Sequence, residues 1–314
     1  MGKLAFLFPG QGSQAVGMGK QLAENNKEVA NVFAKADEVL QDSLSEVIFE
    51  GPQEKLTLTT NAQPALLTTS FAILTALKEY DITPDFVAGH SLGEYSALVA
   101  AGALTFEDAV YAVRKRGEYM EEAVPGGEGA MAAILGADPH MLKQVTEEVT
   151  SEGHAVQIAN MNSTKQIVIS GTKQGVEIAS QRAKENGAKR AIPLKVSGPF
   201  HSALMKPAAE KFQSVLNEIT IQDTNIPVIA NVTADVITSG AHIQEKLIEQ
   251  LYSPVLWYPS IEYMVSQGVD TFIEIGPGKV LAGLMKSIDS SVKAYAIYDE
   301  ETLQDTISNL RGES

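Results

Sequence analysis

The fold is most constrained by residues 89–93, whose sequence GHSLG places a serine between two glycines in the pattern Gly-x-Ser-x-Gly. This pattern is typical of a sharp turn that joins a β-strand to an α-helix and lifts the serine clear of its surroundings. The flanks suit that geometry, because 84–88 is short and mostly apolar, and 92–103 carries an apolar stripe with helical spacing. We therefore predict a buried strand, a tight turn and a helix that begins at Ser91, with unpaired N–H groups beside the serine.

Strand-like and helix-like segments alternate through the first third of the chain. Leu4–Phe8 is short and apolar and is followed at once by Pro9-Gly10, as expected of a buried strand. Helices are expected at 15–24, 29–40, 62–79 and 106–123, the last two introduced by Asn61 and Thr105. Alternation of this kind indicates an α/β fold with a mainly parallel sheet.

A glycine-rich break at 125–129 (PGGEG) precedes a segment with a different pattern. The pattern is strand, helix, strand, strand, helix, strand, with expected bounds 130–135, 141–150, 156–159, 166–170, 175–186 and 188–193. This order is typical of ferredoxin-like domains. Beyond it, helices are expected at 204–217, 244–252 and 258–267, strands at 227–231 and 271–275, and a last helix after 276–278. We predict a large, discontinuous α/β-hydrolase-like domain with a mainly parallel sheet (1–127 and 198–314) and an inserted, smaller ferredoxin-like α+β domain (128–197).

Composition limits the class of protein. The 314 residues are 44% hydrophobic, enough for a large core, and include no cysteine, which excludes disulfides, thiolate metal sites and a cysteine nucleophile. No apolar run reaches the length of a membrane span or of a signal-peptide core. The net charge of −15 disfavours nucleic acid and anionic membranes as partners. We expect a cytoplasmic, monomeric protein that binds neither nucleic acid nor membrane.

A serine hydroxyl needs a neighbouring base to act as a nucleophile, and histidine is the usual one. His140, His154 and His242 lie in polar, helix-edge or loop segments, where a solvated side chain is expected. His90 adjoins the serine and is expected to point away from it across the turn. His201 follows a Gly-Pro turn and precedes a helix, where an imidazole can be fixed at the wall of a cleft. His201 is therefore the candidate base.

Five motifs occur in order along the chain: 8–12 (FPGQG), 89–94 (GHSLGE), 116–117 (RG), 198–202 (GPFHS) and 275–278 (IGPG). Together they resemble the malonyl-CoA:acyl carrier protein transacylases of fatty acid synthesis and the acyltransferase domains of polyketide synthases. The resemblance runs nearly from end to end and includes the inserted domain. It implies an enzyme that moves malonyl from malonyl-CoA to the phosphopantetheine thiol of acyl carrier protein, through a malonyl-serine ester in a ping-pong reaction.

The resemblance also implies roles for residues at matching positions. Ser91 would attack the thioester, and His201 would take its proton and later activate the incoming thiol. In this family a main-chain carbonyl, here that of Gln250, orients the other imidazole nitrogen, so no third catalytic carboxylate is needed. The family's oxyanion hole consists of two main-chain N–H groups, which correspond to those of Gln11 and Leu92.

Three residues are expected to bind the acyl group. Malonyl, unlike acetyl, carries a carboxylate, and by resemblance the guanidinium of Arg116 would hold both of its oxygens. Its neighbours Arg114 and Lys115 are expected on a solvated helix face. Phe200 accompanies malonyl use in the family, because its ring excludes the extra methyl of methylmalonyl. His90 is the third candidate, and neither a bound cofactor nor a metal is expected beside the substrate malonyl-CoA.

Carrier proteins are acidic, so an acidic enzyme needs a local basic patch to steer their docking. One stretch of the inserted domain offers an excess of positive charge against Glu185: Arg182, Lys184, Lys189, Arg190 and Lys195. We hypothesise that this face meets the carrier protein or the phosphates of CoA.

Two alternatives stay open. Esterases and thioesterases with an α/β-hydrolase-like core use the same turn, although they usually place their histidine near the C terminus after an acid, and Arg116 has no evident purpose in them. A non-enzymatic nucleotide- or CoA-binding module could use the glycine loops alone, but it leaves Ser91 and His201 unexplained. Transfer of a malonyl adduct, its hydrolysis or its absence distinguishes the three.

Overall fold

The structure is a computed structural model that describes residues 2–312. That part of the chain forms two β-sheets covered by helices. The strands are β1 (Lys3–Phe8), β2 (Phe86–Gly89), β3 (Gly129–Leu135), β4 (Val156–Ser163), β5 (Gln166–Thr172), β6 (Arg190–Pro193), β7 (Val228–Ile229), β8 (Val236–Ile237), β9 (Val269–Ile275) and β10 (Lys293–Ile297). The helices are α1 (Lys20–Asn25), α2 (Lys27–Leu40), α3 (Leu44–Glu50), α4 (Gln53–Thr57), α5 (Thr59–Leu77), α6 (Gly93–Ala100), α7 (Phe106–Glu122), α8 (Pro139–Ser151), α9 (Lys173–Glu185), α10 (Lys206–Glu218), α11 (Gly240–Gln250), α12 (Trp257–Ser266), α13 (Val280–Ile288) and α14 (Glu300–Arg311). Short 3₁₀ helices span Lys78–Tyr80 and Ala203–Met205.

The larger sheet has six strands in the order β10-β9-β1-β2-β7-β8. Neighbouring strands are parallel, except that β7 and β8 form a short antiparallel pair. Both faces are buried, because Phe6 and Phe8 of β1 join the core on one side and Leu7 joins the core on the other. Since Phe8 pairs with Gly89, β1 and β2 end at the same edge of the sheet, and the loops that follow them meet there. The predicted α/β fold with a mainly parallel sheet is confirmed.

Helix α5 runs through the larger core and is buried on nearly every side. Apolar side chains such as Leu66 and Ile73 contribute to that core, and the polar Thr68 and Ser70 are fully buried as well. A helix that meets protein on every face needs no polar stripe. No helix within residues 2–312 combines the length and apolar character that crossing a membrane requires.

The smaller sheet has four antiparallel strands in the order β4-β5-β3-β6, and α8 and α9 pack against it. The six elements follow in the order that the sequence predicts, and they form the small α+β unit that was expected. Edge strand β4 joins the two parts of the molecule, because the N–H of Val255 donates to Ala159 O (2.8 Å) and the N–H of Met161 donates to Val255 O (2.9 Å). The other edge leaves 192–195 exposed. The domain boundaries at 127/128 and 197/198 stay a prediction.

Residues with positive φ angles shorten two of the predicted helices. The helix expected at 15–24 begins only at Lys20, because Gly17 and Gly19 have positive φ angles of 90° and 74°. The helix after the turn begins at Gly93 rather than at Ser91, whose φ of 52° is incompatible with a right-handed helix. Helices α3, α4 and α14 and strands β8 and β10 were not predicted at all.

A side-chain cap is present at one of the two helix starts for which the sequence predicts one. The expected cap of α7 is confirmed, because Thr105 Oγ1 accepts from the N–H of Asp108 at 3.1 Å. The expected cap of α5 is wrong, because that helix begins at Thr59 and Asn61 lies inside it. The Asn61 side chain instead donates to the main-chain oxygen of Lys55 at 2.8 Å, and so ties α5 to the preceding helix.

Candidate active site

Ser91 lies in the turn between β2 and α6, at the edge of the larger sheet where β1 also ends. Its φ angle of 52° is unusual for a residue with a side chain and marks a strained turn. The two glycines allow the close packing that this turn needs. A Cβ on Gly89 would overlap the main chain of Gly93, and a Cβ on Gly93 would overlap that of Phe8. The strand, the turn and the helix thus present the serine side chain at the end of β2.

The Ser91 hydroxyl contacts the imidazole of His201, with Oγ 2.7 Å from Nε2. His201 lies between β6 and α10 and is 4% exposed. Its Nδ1 is 2.8 Å from the main-chain oxygen of Gln250, the last residue of α11. Because a carbonyl oxygen only accepts, Nδ1 carries the hydrogen and Nε2 is free to accept a proton from the serine. The structure therefore brings together the three residues that the sequence names as catalytic.

Gln157 of β4 fixes the loop that carries His201. Its Nε2 donates to the main-chain oxygens of His201 (3.2 Å) and Tyr252 (3.3 Å), and its Oε1 accepts from the N–H of Ala203 (2.9 Å). Burial, and then the charge of Arg116, lower the pKa of His201 to about 3. The imidazole is therefore neutral near pH 7 and able to act as a base.

Arg116 of α7 lies fully buried behind the serine. Its Nη2 donates to Gln250 Oε1 (2.8 Å) and Ser91 Oγ (3.2 Å), and its Nη1 donates to Gln63 Oε1 (2.9 Å). The guanidinium carbon is also 5.6 Å from the ring centroid of Tyr95. Burial lowers the pKa of Arg116, but a guanidinium starts high enough to stay charged. Its hydrogen-bond partners are neutral, and two of them, Ser91 and Gln63, line the cavity, whereas Arg116 itself is fully buried behind that lining.

The cations next to Arg116 point elsewhere. Arg114 pairs with Asp42 at 3.3 Å, and Lys115 pairs with Glu118 at 2.8 Å. The expected solvated face is wrong for Arg114, because its side chain is only 14% exposed and also donates to Asn61 Oδ1 at 2.9 Å. Lys115 is partly exposed, as the sequence predicts.

Gln11 and Leu92 are the predicted oxyanion donors, and both line the cavity beside the serine. Within residues 2–312 neither main-chain N–H donates a hydrogen bond, so both are free for a substrate oxygen. Gln11 can approach the turn because it follows Gly10, where a Cβ would overlap the main-chain oxygen of His90. The Gln11 side chain is held apart from these donors by Thr59, whose Oγ1 accepts from its Nε2 at 3.2 Å.

The cavity has a volume of about 150 Å³, a size that suits a short acyl chain. Phe200 lines it and is 6% exposed, and the side chains of Met120 and Met131 add further apolar wall. Lys195 also lines the cavity, on the exposed segment that follows β6. Apolar and polar side chains share the lining, so the cavity can pack against an acyl chain and also hydrogen-bond its polar atoms.

His90 lines the same cavity but does not contact the serine hydroxyl. Its Nε2 is 2.8 Å from Oδ1 of Asn162 on β4, and its ring centroid is 5.5 Å from that of Trp257. Burial lowers the pKa of His90, so its imidazole is neutral near pH 7. The ring is thus directed across the turn, toward the smaller sheet, while one edge stays accessible to a bound group.

Two buried side chains of the site were missed by the sequence reasoning. Asn231 follows β7; its Oδ1 accepts from the N–H of Ser91 (2.7 Å) and its Nδ2 donates to Gly89 O (2.7 Å), which clamps the turn. Glu94 of α6 accepts at Oε2 from Gln250 Nε2 (2.6 Å) and from the N–H of Asn231 (3.2 Å). A polar residue at the carboxyl end of a parallel strand was the available signal for Asn231. Within residues 2–312 no three His, Asp or Glu side chains group in the manner of a metal site.

Gln63 of α5 is the third residue that the sequence reasoning missed. It is 1% exposed, its Oε1 accepts from Arg116, and its Nε2 lies 3.4 Å from Met120 Sδ. The signal for it was a long carboxamide within a helix that carries no charged side chain and is buried at most positions, because such a group needs a buried partner.

Comparison with known proteins agrees with this geometry. Residues 5–304 match the family described as "Acyl transferase domain". The malonyl CoA-acyl carrier protein transacylase of Bacillus subtilis (strain 168) is 64% identical over 314 residues, which cover 100% of this chain and 99% of the relative. The protein of the same name from Staphylococcus aureus (strain MSSA476) is 47% identical over 97% of each chain.

Solved structures are similar over the same length. The acyl carrier protein S-malonyltransferase of Vibrio cholerae is 46% identical with a TM-score of 0.94, over 97% of this chain and 99% of that one. A chain from a complex of a type II PKS acyl-carrier protein with its malonyl-transacylase is 44% identical with a TM-score of 0.95, over 98% of this chain and 99% of that one. The resemblance predicted from the five motifs is therefore confirmed, and the chain belongs to the acyl transferase family.

Proposed function

We propose that this protein transfers malonyl from malonyl-CoA to the phosphopantetheine thiol of acyl carrier protein, through a malonyl ester on Ser91. One observation carries the proposal: the Ser91 hydroxyl lies 2.7 Å from His201 Nε2 and 3.2 Å from Arg116 Nη2. A nucleophile, its base and a cation for the substrate carboxylate thus meet at one oxygen. The names of the relatives point to malonyl-CoA and acyl carrier protein as the two substrates. The product would serve fatty acid or polyketide synthesis.

In the first half-reaction, His201 Nε2 accepts the hydroxyl proton as Ser91 Oγ attacks the thioester carbonyl. The carbonyl oxygen becomes an oxyanion, which the N–H groups of Gln11 and Leu92 would bind. When the tetrahedral intermediate collapses, the carbon–sulfur bond breaks and the proton on His201 passes to the departing sulfur of CoA. The products of this step are free CoA and the malonyl-serine ester.

The second half-reaction uses the same groups in reverse. His201 Nε2 accepts the thiol proton of phosphopantetheine as the sulfur attacks the ester carbonyl. The ester bond to Ser91 breaks, and the proton returns from the imidazole to the serine oxygen. The positive imidazole that exists between these events is oriented by the main-chain oxygen of Gln250, in the place that an aspartate takes in other serine enzymes.

Arg116 would bind the malonyl carboxylate. In the free protein its N–H groups bond the neutral amide oxygens of Gln63 and Gln250, which are weaker acceptors than a carboxylate. The arriving carboxylate would take over part of these bonds. Acetyl-CoA offers no such exchange, so the guanidinium favours malonyl over acetyl. On the other side of the acyl group, the ring of Phe200 would exclude a methyl branch.

The edge of the smaller sheet is our proposed docking face for the carrier protein. Lys189, Arg190 and Lys195 are exposed there, and Lys195 reaches the cavity mouth. Arg182 is less available, because its guanidinium bonds both carboxylate oxygens of Glu152 at 2.8 Å and 2.7 Å. Lys184, near the end of α9, is exposed and stays in the proposed basic patch, from which we set apart only Arg182.

Charge reversal tests this face. We expect Lys189→Glu with Arg190→Glu to raise the KM for carrier protein severalfold at low salt and less at high salt, with malonylation by malonyl-CoA unchanged. Lys27→Glu with Lys293→Glu changes the net charge equally on exposed positions of α2 and β10 and is the matched control. Equal effects of the two double variants would show that net charge alone matters, and unchanged kinetics would reject the face.

We propose a monomer that acts in the cytoplasm and uses no bound cofactor, because the nucleophile, the base and the oxyanion donors all come from this chain. Sedimentation at working concentrations tests the oligomeric state.

Intact-mass measurement tests the function. Wild type and Ser91→Ala are mixed with malonyl-CoA and then with phosphopantetheinylated carrier protein. A malonyl adduct that requires Ser91 and moves to the carrier supports the transacylase. Release of malonyl to water with an unmodified carrier supports a hydrolase instead. Absence of an adduct with malonyl-CoA, and also with acetyl-CoA, rejects acyl transfer through Ser91.

A further inference from the structure

Glu94 is a buried carboxylate for which the proposed reaction has no step. It lies in the first turn of α6, three residues after the nucleophile, and is 3% exposed. Its Oε2 accepts both of its hydrogen bonds, from Gln250 Nε2 and from the N–H of Asn231. A buried carboxylate is costly to keep unless a nearby positive charge compensates it.

The compensating charge is Arg116, and one carboxamide separates the two. Gln250 donates from Nε2 to Glu94 and accepts at Oε1 from Arg116 Nη2 at 2.8 Å. No salt bridge within residues 2–312 includes either residue. Glu94 therefore balances the charge of Arg116 without a direct contact. The N–H groups of Arg116 bond neutral amide oxygens instead, which a substrate carboxylate can displace.

Binding of malonyl changes this balance, because a second anion enters a buried site with one cation. The substrate carboxylate would pair with Arg116 directly and neutralise it. Glu94 would then be a buried anion without a partner charge, and in a medium of low dielectric such a group binds a proton.

We propose that Glu94 is a charge-balancing residue of the acyl site, ionised in the free enzyme and protonated from solvent when the malonyl carboxylate binds Arg116. The inference rests on malonyl as the substrate. It makes Glu94 a positioning residue, since it acts on the substrate only through Gln250 and Arg116.

The hydrogen bonds of Glu94 are compatible with both states. Both go to Oε2, so a proton on Oε1 leaves Gln250 and Asn231 in place. Burial raises the pKa of Glu94 to about 7, against the opposing effects of these two bonds and of the charge on Arg116. Its other titratable neighbours keep one state near pH 7, because burial raises the pKa of Tyr95 and lowers that of His201.

Calorimetry tests the proposal on Ser91→Ala, which binds malonyl-CoA but forms no ester. Binding enthalpies in two buffers of different ionisation enthalpy give the protons taken up per ligand. Since a pKa of about 7 leaves roughly three-quarters of Glu94 ionised at pH 7.5, we expect an uptake of up to roughly three-quarters of a proton for malonyl-CoA there. Acetyl-CoA, which lacks the carboxylate, should cause none. The affinity for malonyl-CoA should also weaken above that pH, by up to about tenfold per pH unit.

The double variant Ser91→Ala with Glu94→Gln is the decisive comparison, because glutamine keeps the size and the accepting oxygen but cannot titrate. It should show no malonyl-specific uptake. Equal uptake for malonyl-CoA and acetyl-CoA, or equal uptake with and without Glu94, overturns the proposal.

Infrared difference spectra of the wild type give a second measurement that does not depend on a variant. With ¹³C-labelled malonyl, a new ¹²C band of a protonated carboxyl group should appear on malonylation, and its absence would contradict the proposal. Failure of the proposed function itself looks different, because Ser91 would then form no malonyl adduct with malonyl-CoA.

Discussion

Arg116 is the single residue on which acceptance of malonyl is expected to depend. Arg116→Ala removes a buried cation that would make charge-assisted bonds to both oxygens of the substrate carboxylate, a loss of about 3 kcal/mol. The rate of Ser91 malonylation should therefore fall roughly 10²-fold in kcat/KM, while acetylation by acetyl-CoA changes much less. Single-turnover acylation with each acyl-CoA measures both rates.

The ratio of the two rates separates substrate binding from a general role of Arg116. Its Nη2 also contacts Ser91 Oγ, and the loss of that contact would slow malonyl and acetyl transfer equally. Arg116→Lys keeps the charge but not the planar fork, so it should recover only part of the preference for malonyl. An equal fall for both acyl groups would contradict recognition of the carboxylate by Arg116.

His201 should keep its activity in mildly acidic solution. An ordinary histidine has a pKa of 6.5, so at pH 5.5 about nine-tenths of it is protonated and about a tenth of the base remains. Burial and the charge of Arg116 lower the pKa of His201 to about 3, so that the neutral form persists at that pH. The single-turnover rate of malonylation at saturating malonyl-CoA should thus be nearly equal at pH 7.5 and pH 5.5. A tenfold fall would show an ordinary imidazole.

The sequence is sufficient to predict the candidate nucleophile and base, but not the residues that hold them in place. Ser91 and His201 stand in short motifs whose local geometry is itself informative. Asn231 and Glu94 act through contacts across 137 to 156 positions of sequence, which no local pattern encodes. Their chemistry becomes visible only when the sheet brings the ends of β2 and β7 side by side.

At the level of elements, the turn between β2 and α6 depends on close packing against β1. A Cβ on Gly93 would overlap the main chain of Phe8, and a main chain cannot move aside as a flexible side chain can. Gly93→Ala should therefore cost about 3 kcal/mol of unfolding free energy and also displace the nucleophile. Urea unfolding and the rate of malonylation measure the two effects.

Gly283 provides the matched control for that substitution. It lies in helix α13, where an added Cβ would have no neighbour within 4 Å. Gly283→Ala should be neutral or raise the unfolding free energy by up to about 1 kcal/mol, because alanine favours the helix. Similar losses in the two variants would show that close packing at the turn is not the cause.

The pattern of apolar residues predicts the buried strands and helices better than it predicts edge strands. The buried strands β1 and β2 and the six elements of the smaller sheet follow the alternation and the glycine breaks of the sequence. Strand β10 was missed because it is an edge strand whose first four residues are not fully buried, so its apolar signal is weak. The helix expected at 15–24 illustrates the converse, since an apolar pattern there is overruled by two glycines in left-handed conformation.

At the scale of the whole molecule, the site depends on contacts between the two sheets. The smaller sheet adds its edge strand β4 to Val255, holds the His201 loop through Gln157, and meets His90 through Asn162. The nucleophile belongs to one sheet, and the groups that align its base and neighbour belong partly to the other. The smaller sheet is therefore part of the geometry of the candidate active site, beyond its proposed role in docking.

The buried carboxyl group of Glu94 should make the unfolding free energy of the whole protein depend on pH. Burial raises the pKa of Glu94 from 4.5 to about 7, so between these values the folded protein holds a proton that the unfolded chain has released. Stability should therefore fall as pH rises through this window, by on the order of 3 kcal/mol. The buried His201 contributes the opposite slope below pH 6.5, because the unfolded chain binds its proton there first.

Glu94→Gln isolates the first of these slopes, since His201 is common to both proteins. Urea unfolding should give similar free energies for variant and wild type near pH 4, and a more stable variant near pH 8, whereas the exposed control Glu210→Gln should show no such divergence. A constant difference at the two pH values would mean that Glu94 does not titrate between the two pKa values. If the divergence is found, ionised Glu94 destabilises the fold at neutral pH and above. Its proposed function, to balance the charge of Arg116 until a substrate carboxylate binds, would then explain why the fold contains it.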